Sequence, residues 1–290
     1  MEGGWLEALG APFGYEFMWR ALLGGTIVGA ACGLLSCFVT LRGWSLLGDA
    51  LSHAVLPGVA LAAILGLPFI LGAFVAGLLA VTGIGAIERA SKLKSDAVIG
   101  VVLASFFAFG LLLISIFPSQ LRLKTILFGN LLGLSDADLW QVAAAALLTF
   151  AAVAVAWRDL LLVSFDAQHA AAIGLRTRLL NLALLSLVSL AAVAALQAVG
   201  ALLVVATLIT PGATAYLLTD RFSRMLVIAP LLGGLTAFAG AYASYFLDGS
   251  AGGCIVAAQT AVFLSAWLFA PKHGVLASRV RAAPARPVTA

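Results

Sequence analysis

The sequence predicts an all-α protein, a polytopic bundle of transmembrane helices. Of its 290 residues, 63% are hydrophobic and 10% are charged, and the mean hydropathy is +1.14. Soluble domains carry charge on roughly a quarter of their residues, so this composition excludes an ordinary soluble protein. The apolar runs are unbroken, as in Ala143 to Ala156, whereas transmembrane β-strands alternate apolar and polar residues. Helices satisfy their own backbone groups in lipid and are therefore expected.

Segments of about 20 mostly apolar residues are long enough to cross a bilayer, and they predict about nine spans. Charges or clusters of Gly, Pro, Asp and Ser separate them. The predicted spans are Phe17 to Leu41, Trp44 to Gly66, Pro68 to Ile87, Ala97 to Phe117, Asp138 to Trp157, Leu179 to Ala198, Gly200 to Thr219, Arg224 to Phe246 and Ser250 to Ala270. The shorter apolar stretch Thr125 to Leu134 is predicted to be re-entrant or to lie at the surface.

The positions of Lys and Arg predict that the C-terminus is cytoplasmic. In that orientation only Arg20, Arg122 and Lys124 of the 16 basic residues lie outside. Residues 1–16 are then an extracytoplasmic segment, residues 17–271 the transmembrane domain, and residues 272–290 a disordered cytoplasmic tail. Residues 1–16 hold three Glu and no basic residue, which is unlike a signal peptide, so the first span is expected to be retained. The net charge of +4 comes from Lys and Arg in short loops between the spans, where such residues determine topology. Nucleic acid is therefore not an expected partner.

An acid and an imidazole stand four residues apart in the second predicted span. Asp49 and His53 therefore share one helical face, and an intramembrane charge is costly enough to suggest a function. Pro57 lacks the N–H that would bond the carbonyl of His53, so that oxygen is predicted to be free. Together these atoms suit a transported divalent ion such as Mn²⁺, Fe²⁺ or Zn²⁺. Two alternatives stay open, a structural Asp–His hydrogen bond between helices and a proton relay.

Two further segments have features that suggest movement or docking. Thr210, Pro211 and Gly212 interrupt the seventh predicted span, and they predict a gate or hinge or a kink with only packing consequences. The predicted cytoplasmic segment 158–178 contains Asp166, which can cap a short helix, and Gly174, which can end it. Such a helix outside the membrane is a predicted docking site for a soluble partner protein.

Sequence patterns for hydrolysis are absent. The chain has no G-x-x-x-x-G-K-[ST] phosphate loop and no H-E-x-x-H zinc motif, and no second acid lies well inside a predicted span beside Asp49. The three cysteines, Cys32, Cys37 and Cys254, lie in apolar runs without ligand spacing and are predicted to be small buried residues. The sequence therefore predicts a protein that is not an enzyme and has no permanently bound cofactor.

Several of these segments resemble the permease subunits of bacterial ABC importers for manganese, iron and zinc. The resemblance covers nearly the whole chain and is carried by Leu41 to Gly58 (LRGWSLLGDALSHAVLPG), Leu127 to Gly133 (LFGNLLG), Phe165 to Ala167, Ala172 to Gly174, Ile209 to Ala215 (ITPGATA) and Ala270 to Gly274 (APKHG). The Phe-Gly-Asn-Leu-Leu-Gly and Thr-Pro-Gly-Ala motifs within the second and fifth of these resemble the manganese and iron branch more than the zinc branch.

This resemblance implies a homodimer of permeases in the bacterial inner membrane. It implies two cytoplasmic ATPase subunits and an extracytoplasmic metal-binding protein as partners. Asp49 and His53 would form the transit metal site, and Asp166, Ala167 and Gly174 would belong to the coupling helix that docks on the ATPase. Gln168 departs from the family's pattern, which usually has a second acid there. A zinc importer of the same type and a stand-alone proton-coupled metal transporter are the alternatives.

Overall fold

The computed structural model describes residues 10–44, 47–117, 129, 131–270 and 274–275, with only the backbone at 47, 49, 88–89, 95–96, 197–199 and 201–203. The described chain is helical and contains no β-strand in these ranges. The α-helices are α1 Glu16–Arg42, α2 Leu47–Ala54, α3 Leu56–Leu65, α4 Phe69–Ala90, α5 Ser95–Ile116, α6 Asp136–Phe165, α7 Ala167–Ala172, α8 Thr177–Val199, α9 Ala201–Leu218, α10 Phe222–Leu247 and α11 Ala251–Phe269. Short 3-10 helices cover Ala11–Gly14 and Leu131–Gly133.

The all-α transmembrane class is confirmed. Among the described residues, 7 helices are long and apolar enough to cross a membrane, namely α1, α4, α5, α6, α8, α10 and α11. Two shorter apolar segments, Ala50–Leu65 and Val204–Leu218, lie in the second and seventh predicted spans. Every predicted span thus contains apolar helix, while the count of nine spans stays a prediction.

The second predicted span differs from a single helix. Its helix is divided into α2 and α3, with Val55 between them and Pro57 in the first turn of α3. Proline has no backbone N–H and its ring displaces the preceding turn, which is the physical reason for the division. The helix that carries Asp49 and His53 is consequently only 8 residues long.

The helix of the fifth predicted span continues beyond the predicted end of that span. The prediction stopped at Trp157 because Arg158 and Asp159 follow, but α6 continues to Phe165 and is 30 residues long. The residues after Asp159 are mostly Leu and Val, which continue a helix readily, and no Gly or Pro interrupts them. The first part of the predicted cytoplasmic segment 158–178 is therefore an extension of α6.

Helix α1 is the centre of the bundle. It packs against α10, α9, α6 and α8, and 78% of its most apolar stretch is buried. Small residues allow this close approach: a Cβ on Gly29 would overlap the carbonyl of Gly233, and one on Gly33 would overlap the carbonyl of Ala229. Small residues commonly allow such close packing of helices in membranes.

Two polar contacts between α1 and α6 lie at opposite ends of the bundle. At one end Nε of Arg20 is 2.8 Å from Oδ1 of Asp136, and at the other Nε of Arg42 donates to Oγ of Ser164 at 2.9 Å. The two arginines are 22 positions apart, which is about 33 Å along a helix and close to the thickness of a bilayer's hydrocarbon core. The two contacts therefore mark two water-facing ends of parallel helices.

Aromatic side chains gather at the Arg20 end. Phe13 contacts Trp19 and Tyr242, with ring centroids 5.4 and 5.7 Å apart, and Tyr15 lies 6.0 Å from Tyr245. Tyr and Trp favour the boundary between lipid and water, because each ring is apolar with one polar group. This cluster fixes the residues before α1 against the end of α10.

Parts of three predicted segments lie outside the described residues. These are residues 1–9 of the N-terminal segment, residues 125–128 and 130 of the predicted re-entrant stretch, and all of the tail 272–290 except Gly274 and Val275. In the re-entrant stretch the described part is a single 3-10 turn, Leu131–Gly133, and not a span.

Candidate functional site

Helix α2 carries the predicted metal site and is enclosed by α5, α9, α8 and α4. Gly48 faces α9, where a Cβ would lie 3.6 Å from Cα of Val205 and 3.6 Å from Cδ1 of Leu208. Asp49 follows in the helix, but its side chain is outside the described part of the structure. Ser52 is buried, and its hydroxyl donates to the carbonyl of Gly48 at 2.7 Å within α2. That hydroxyl is therefore occupied by the helix itself.

His53 is half-buried and lies one turn after Asp49. Its ring meets the ring of Phe107 on α5 edge to face, with centroids 5.3 Å apart and an angle of 87°. An aromatic neighbour limits the orientations of the imidazole and keeps part of its surface away from water. Helical spacing predicts that Asp49 and His53 share one side of α2, and a shared ion site at this pair stays a prediction.

Contacts of Val55 show how deep the site lies. Gly77 of α4 lies between Val55 and Ser189 of α8. A Cβ on Gly77 would be 3.6 Å from Cγ1 of Val55 and would overlap Oγ of Ser189. Ser189 is eight residues from Asn181, which lies at the Arg42 end, and this distance corresponds to about 12 Å. His53 is thus well inside the bundle, at the depth where transporters place their substrate sites.

The break at Pro57 is held by close packing from two helices. A Cβ on Gly110 of α5 would lie 2.9 Å from the nitrogen of Pro57, and one on Gly58 would overlap the carbonyl of Gly72 on α4. Val59 donates its N–H to Val55 across the break at 3.0 Å. Pro57 has no N–H to bond the carbonyl of His53, and a role of that oxygen as a metal ligand stays a prediction.

A complete metal-binding cluster is not present among the described residues. No group of three or more His, Cys, Asp and Glu within reach of one ion is found in them. Backbone carbonyls and water are the other ligands that a divalent ion accepts readily.

The predicted hinge at Thr210, Pro211 and Gly212 lies inside a continuous helix. Helix α9 runs through Pro211 to Leu218, and Thr214 donates its hydroxyl to the carbonyl of Thr210 at 2.7 Å. Gly212 packs tightly on α1, because a Cβ there would overlap the carbonyl of Ser36. Packing against α1 accounts for Gly212, while a role as gate or hinge stays a prediction for these residues and for Pro57.

The predicted short helix at the coupling segment is present. Helix α7 is six residues long, and the carboxylate of Asp166 caps it by accepting the N–H groups of Gln168 at 3.0 Å and His169 at 2.9 Å. Gly174, with φ of +88°, follows in a backbone conformation that favours glycine. Asp166, Ala167 and Gly174 are exposed. Two large apolar side chains flank the helix and are exposed, Phe165 to 80% and Ile173 to 57%.

Comparison with known families matches nearly all of these elements at once. Residues 14–270 match the model of the ABC 3 transport family. The chain belongs to this family. The match includes both the break-containing segment with Asp49 and His53 and the exposed helix α7.

Similar proteins of the ABC 3 transport family are named as metal transport proteins. The chelated iron transport system membrane protein YfeC of Yersinia pestis is 50% identical over 276 residues, which cover 95% of this chain and 94% of that protein. The manganese transport system membrane protein MntB of Synechocystis sp. is 47% identical over 270 residues, which cover 93% and 88%. The solved structure of PsaBC from Streptococcus pneumoniae in complex with Fab has a TM-score of 0.84 and 39% identity, covering 91% of this chain and 96% of that one.

Membership of the ABC 3 transport family makes the chain a multi-pass membrane permease and not an enzyme. In such systems ATP hydrolysis belongs to separate subunits. The missing phosphate loop in the sequence agrees with this division of labour.

One group of side chains was not predicted as functional. The guanidinium of Arg42 contacts Trp44, Ser164 and Asn181 at the end of the bundle that the sequence predicts to be cytoplasmic. The sequence analysis used Arg42 only as a topology signal. Ser164 and Asn181 are 122 and 139 positions away from Arg42 in the sequence. A contact between residues so far apart cannot be predicted from a local sequence pattern.

Proposed function

We propose that this protein is the permease subunit of an ATP-driven importer of divalent transition metal ions, with manganese or iron as the favoured substrate. The observation that carries the proposal is the pair Asp49 and His53 on the short helix α2, beside the break at Pro57 and deep in the bundle. The names of the manganese and iron relatives support the choice of substrate.

The site suits a metal ion that must pass through and not remain. A carboxylate, an imidazole nitrogen and a carbonyl oxygen are acceptable ligands for Mn²⁺, Fe²⁺ and Zn²⁺ alike. The absence of cysteine from α2 avoids a closed thiolate site of the kind that holds zinc permanently. A transport site needs moderate affinity, because an ion held too firmly is not released.

The proposed cycle uses two copies of the permease and an ATPase dimer in the inner membrane. ATP-driven closure of the ATPase opens the pathway between the permeases to the outside, where a metal-binding protein delivers the ion. The ion exchanges part of its water shell for Asp49 and His53, and hydrolysis returns the pathway to the inward-facing state. Helix α7, capped by Asp166 and exposed between α6 and α8, is the proposed contact with the ATPase.

The test is uptake of isotopic metal by the complex reconstituted with its ATPase and its binding protein. Asp49→Asn and His53→Ala are each expected to lower uptake by about tenfold or more, since even the loss of a residue that only supports a metal ligand typically costs about 10- to 100-fold in metal affinity or activity. Ser52→Ala is the matched control. It alters the same buried helix face but removes only a hydroxyl that is bonded within α2.

Native uptake by both site variants, at native levels of assembled complex, would refute the proposed metal site. Competition among isotopic manganese, iron and zinc then identifies the substrate. Preference for zinc would overturn the choice of manganese or iron while leaving the type of importer intact. Uptake that needs no ATPase would overturn the importer itself.

A further inference from the structure

The guanidinium of Arg42 joins four separate segments of the chain. Arg42 is the last residue of α1 and is half-buried. Its Nε donates to Oγ of Ser164 at 2.9 Å, and its Nη2 donates to Oδ1 of Asn181 at 2.6 Å. Its Cζ lies 4.4 Å from the ring centroid of Trp44, which is a cation–π distance.

The two hydrogen-bond acceptors lie on the helices that enter and leave the coupling segment. Ser164 is at the end of α6, two residues before Asp166, the cap of α7. Asn181 is in the first turns of α8, which begins shortly after Gly174. A displacement of α7 by a bound ATPase must therefore move at least one acceptor of Arg42, unless α6 or α8 bends.

The aromatic contact lies on the other side, towards the metal site. Trp44 stands three residues before α2, and Gly43 between Arg42 and Trp44 adopts φ of +66°. The backbone N–H of Trp44 also bonds the carbonyl of Val39 on α1 at 3.0 Å. Trp44 is thus held by the same guanidinium that contacts α6 and α8.

This arrangement differs from that of an ordinary topology-determining arginine. Arg224 and Arg176, which are also predicted to be cytoplasmic, are exposed. Arg42 is partly buried. Its planar guanidinium donates hydrogen bonds to two neutral acceptors and lies against an aromatic ring. A lysine has no planar fork and cannot reproduce this geometry.

We propose that Arg42 is a positioning residue that couples the segment around α7 to the helix that carries Asp49 and His53. It acts by keeping α6, α8 and Trp44 in fixed positions relative to one another, so that movement at the ATPase contact changes the position of α2. This proposal rests on the proposed function, because it assumes that α7 contacts an ATPase and that α2 holds the transported ion.

The experiment measures ATP hydrolysed per metal ion imported in the reconstituted complex with its ATPase and binding protein. Arg42→Gln is expected to retain ATP turnover and to raise this ratio by more than about tenfold, because it removes two hydrogen bonds of a charged group, each worth about tenfold or more. Arg42→Lys is expected to behave similarly, because it keeps the charge but loses the fork. Asn181→Leu and Ser164→Ala each remove one acceptor and are expected to raise the ratio less.

The control is Arg224→Gln, which removes another predicted cytoplasmic charge from an exposed position. An equal rise of the ratio in this control would overturn the proposal, as would native behaviour of Arg42→Lys. A parallel fall of ATP turnover and import would mean that Arg42 only stabilises the fold, and it would also overturn the proposal. If Arg42→Gln does not assemble, the two acceptor variants decide, and an unchanged ratio in both counts against coupling.

The failure of this proposal is distinguishable from failure of the metal site. Native import by Asp49→Asn and His53→Ala would refute that site, whatever the ratio is in the Arg42 variants. Loss of import in those two variants, with an unchanged ratio in the Arg42 variants, refutes only the coupling role.

Discussion

Single glycines set the distance between helices at the centre of the bundle. Gly29 and Gly233 face each other where α1 crosses α10, and a Cβ on either one would overlap the backbone of the other. Without side chains at these positions the two backbones approach closely and gain dispersion contacts that lipid would otherwise supply. In contrast, a Cβ on Gly83 of α4 would have no atom within 4 Å.

We expect Gly29→Val to destabilise the protein by about 1–3 kcal/mol or more, since the backbone of α10 must shift to admit the side chain. The measurement is thermal unfolding of the purified protein in detergent, together with the yield of monodisperse protein. Gly83→Val introduces the same side chain into open space and serves as the control. An equal loss of stability in both variants would show that helix propensity, and not the contact with Gly233, is responsible.

The break between α2 and α3 is a property of an element and not of one side chain. Pro57 divides the helix, and Gly58, Gly72 and Gly110 let α4 and α5 pack directly against the division. The position of the break, four residues after His53, links the helix geometry to the ligand atoms of the site. In an uninterrupted helix the residue at position 57 would supply an N–H for the carbonyl of His53, the oxygen predicted from the sequence as a ligand atom.

We expect Pro57→Ala to retain folding and to lower metal uptake, because it restores an N–H that can bond the carbonyl of His53. Pro57 lies in the first turn of α3, where proline is tolerated, so thermal stability should be nearly unchanged. Uptake and thermal unfolding are measured on the same reconstituted preparation. Pro230→Ala is the control, because Pro230 is also inside a helix but lies on α10, away from α2. Native uptake by Pro57→Ala would remove the carbonyl of His53 from the proposed ligands.

At the scale of the whole molecule, the helices place two kinds of surface at opposite ends. One end has Arg20, Asp136 and the aromatic cluster around Tyr242, and the other has Arg42 and helix α7. Helix α11 begins beside the end of α10, where a Cβ on Gly240 would overlap Cα of Ile255, and its 19 residues lead towards the Arg42 end. The bias of Lys and Arg predicts that this end is cytoplasmic.

We expect single cysteines at the two ends to react from opposite sides of the membrane. In a variant without Cys32, Cys37 and Cys254, Gln168→Cys should react with an impermeant maleimide only in inside-out vesicles. Asp248→Cys should react only in right-side-out vesicles or intact cells, since both positions are exposed. Labelling of both from one side would contradict the alternation of helices, and a reversed result would contradict the predicted orientation alone.

Much of this architecture follows from local features of the sequence. Apolar length predicts the helices, and the spacing of Asp166 and Gly174 predicts α7 with its cap, because hydropathy and capping act within a few residues. The end of α6 at Phe165 was missed, since Arg158 and Asp159 are charged but are also compatible with a helix. Charge indicates where a segment leaves lipid, and it does not by itself end the hydrogen-bonded helix.

The sequence by itself determined the all-α membrane class and the presence of an acid–imidazole pair on one helical face, because both depend on neighbours within one or two turns. Only the tertiary structure decided that His53 meets Phe107 and that Arg42 joins Ser164, Asn181 and Trp44. These contacts depend on which helices pack together and at what height. Helix packing arises from shape complementarity summed over whole faces, and the apolar pattern of any one segment does not contain that information.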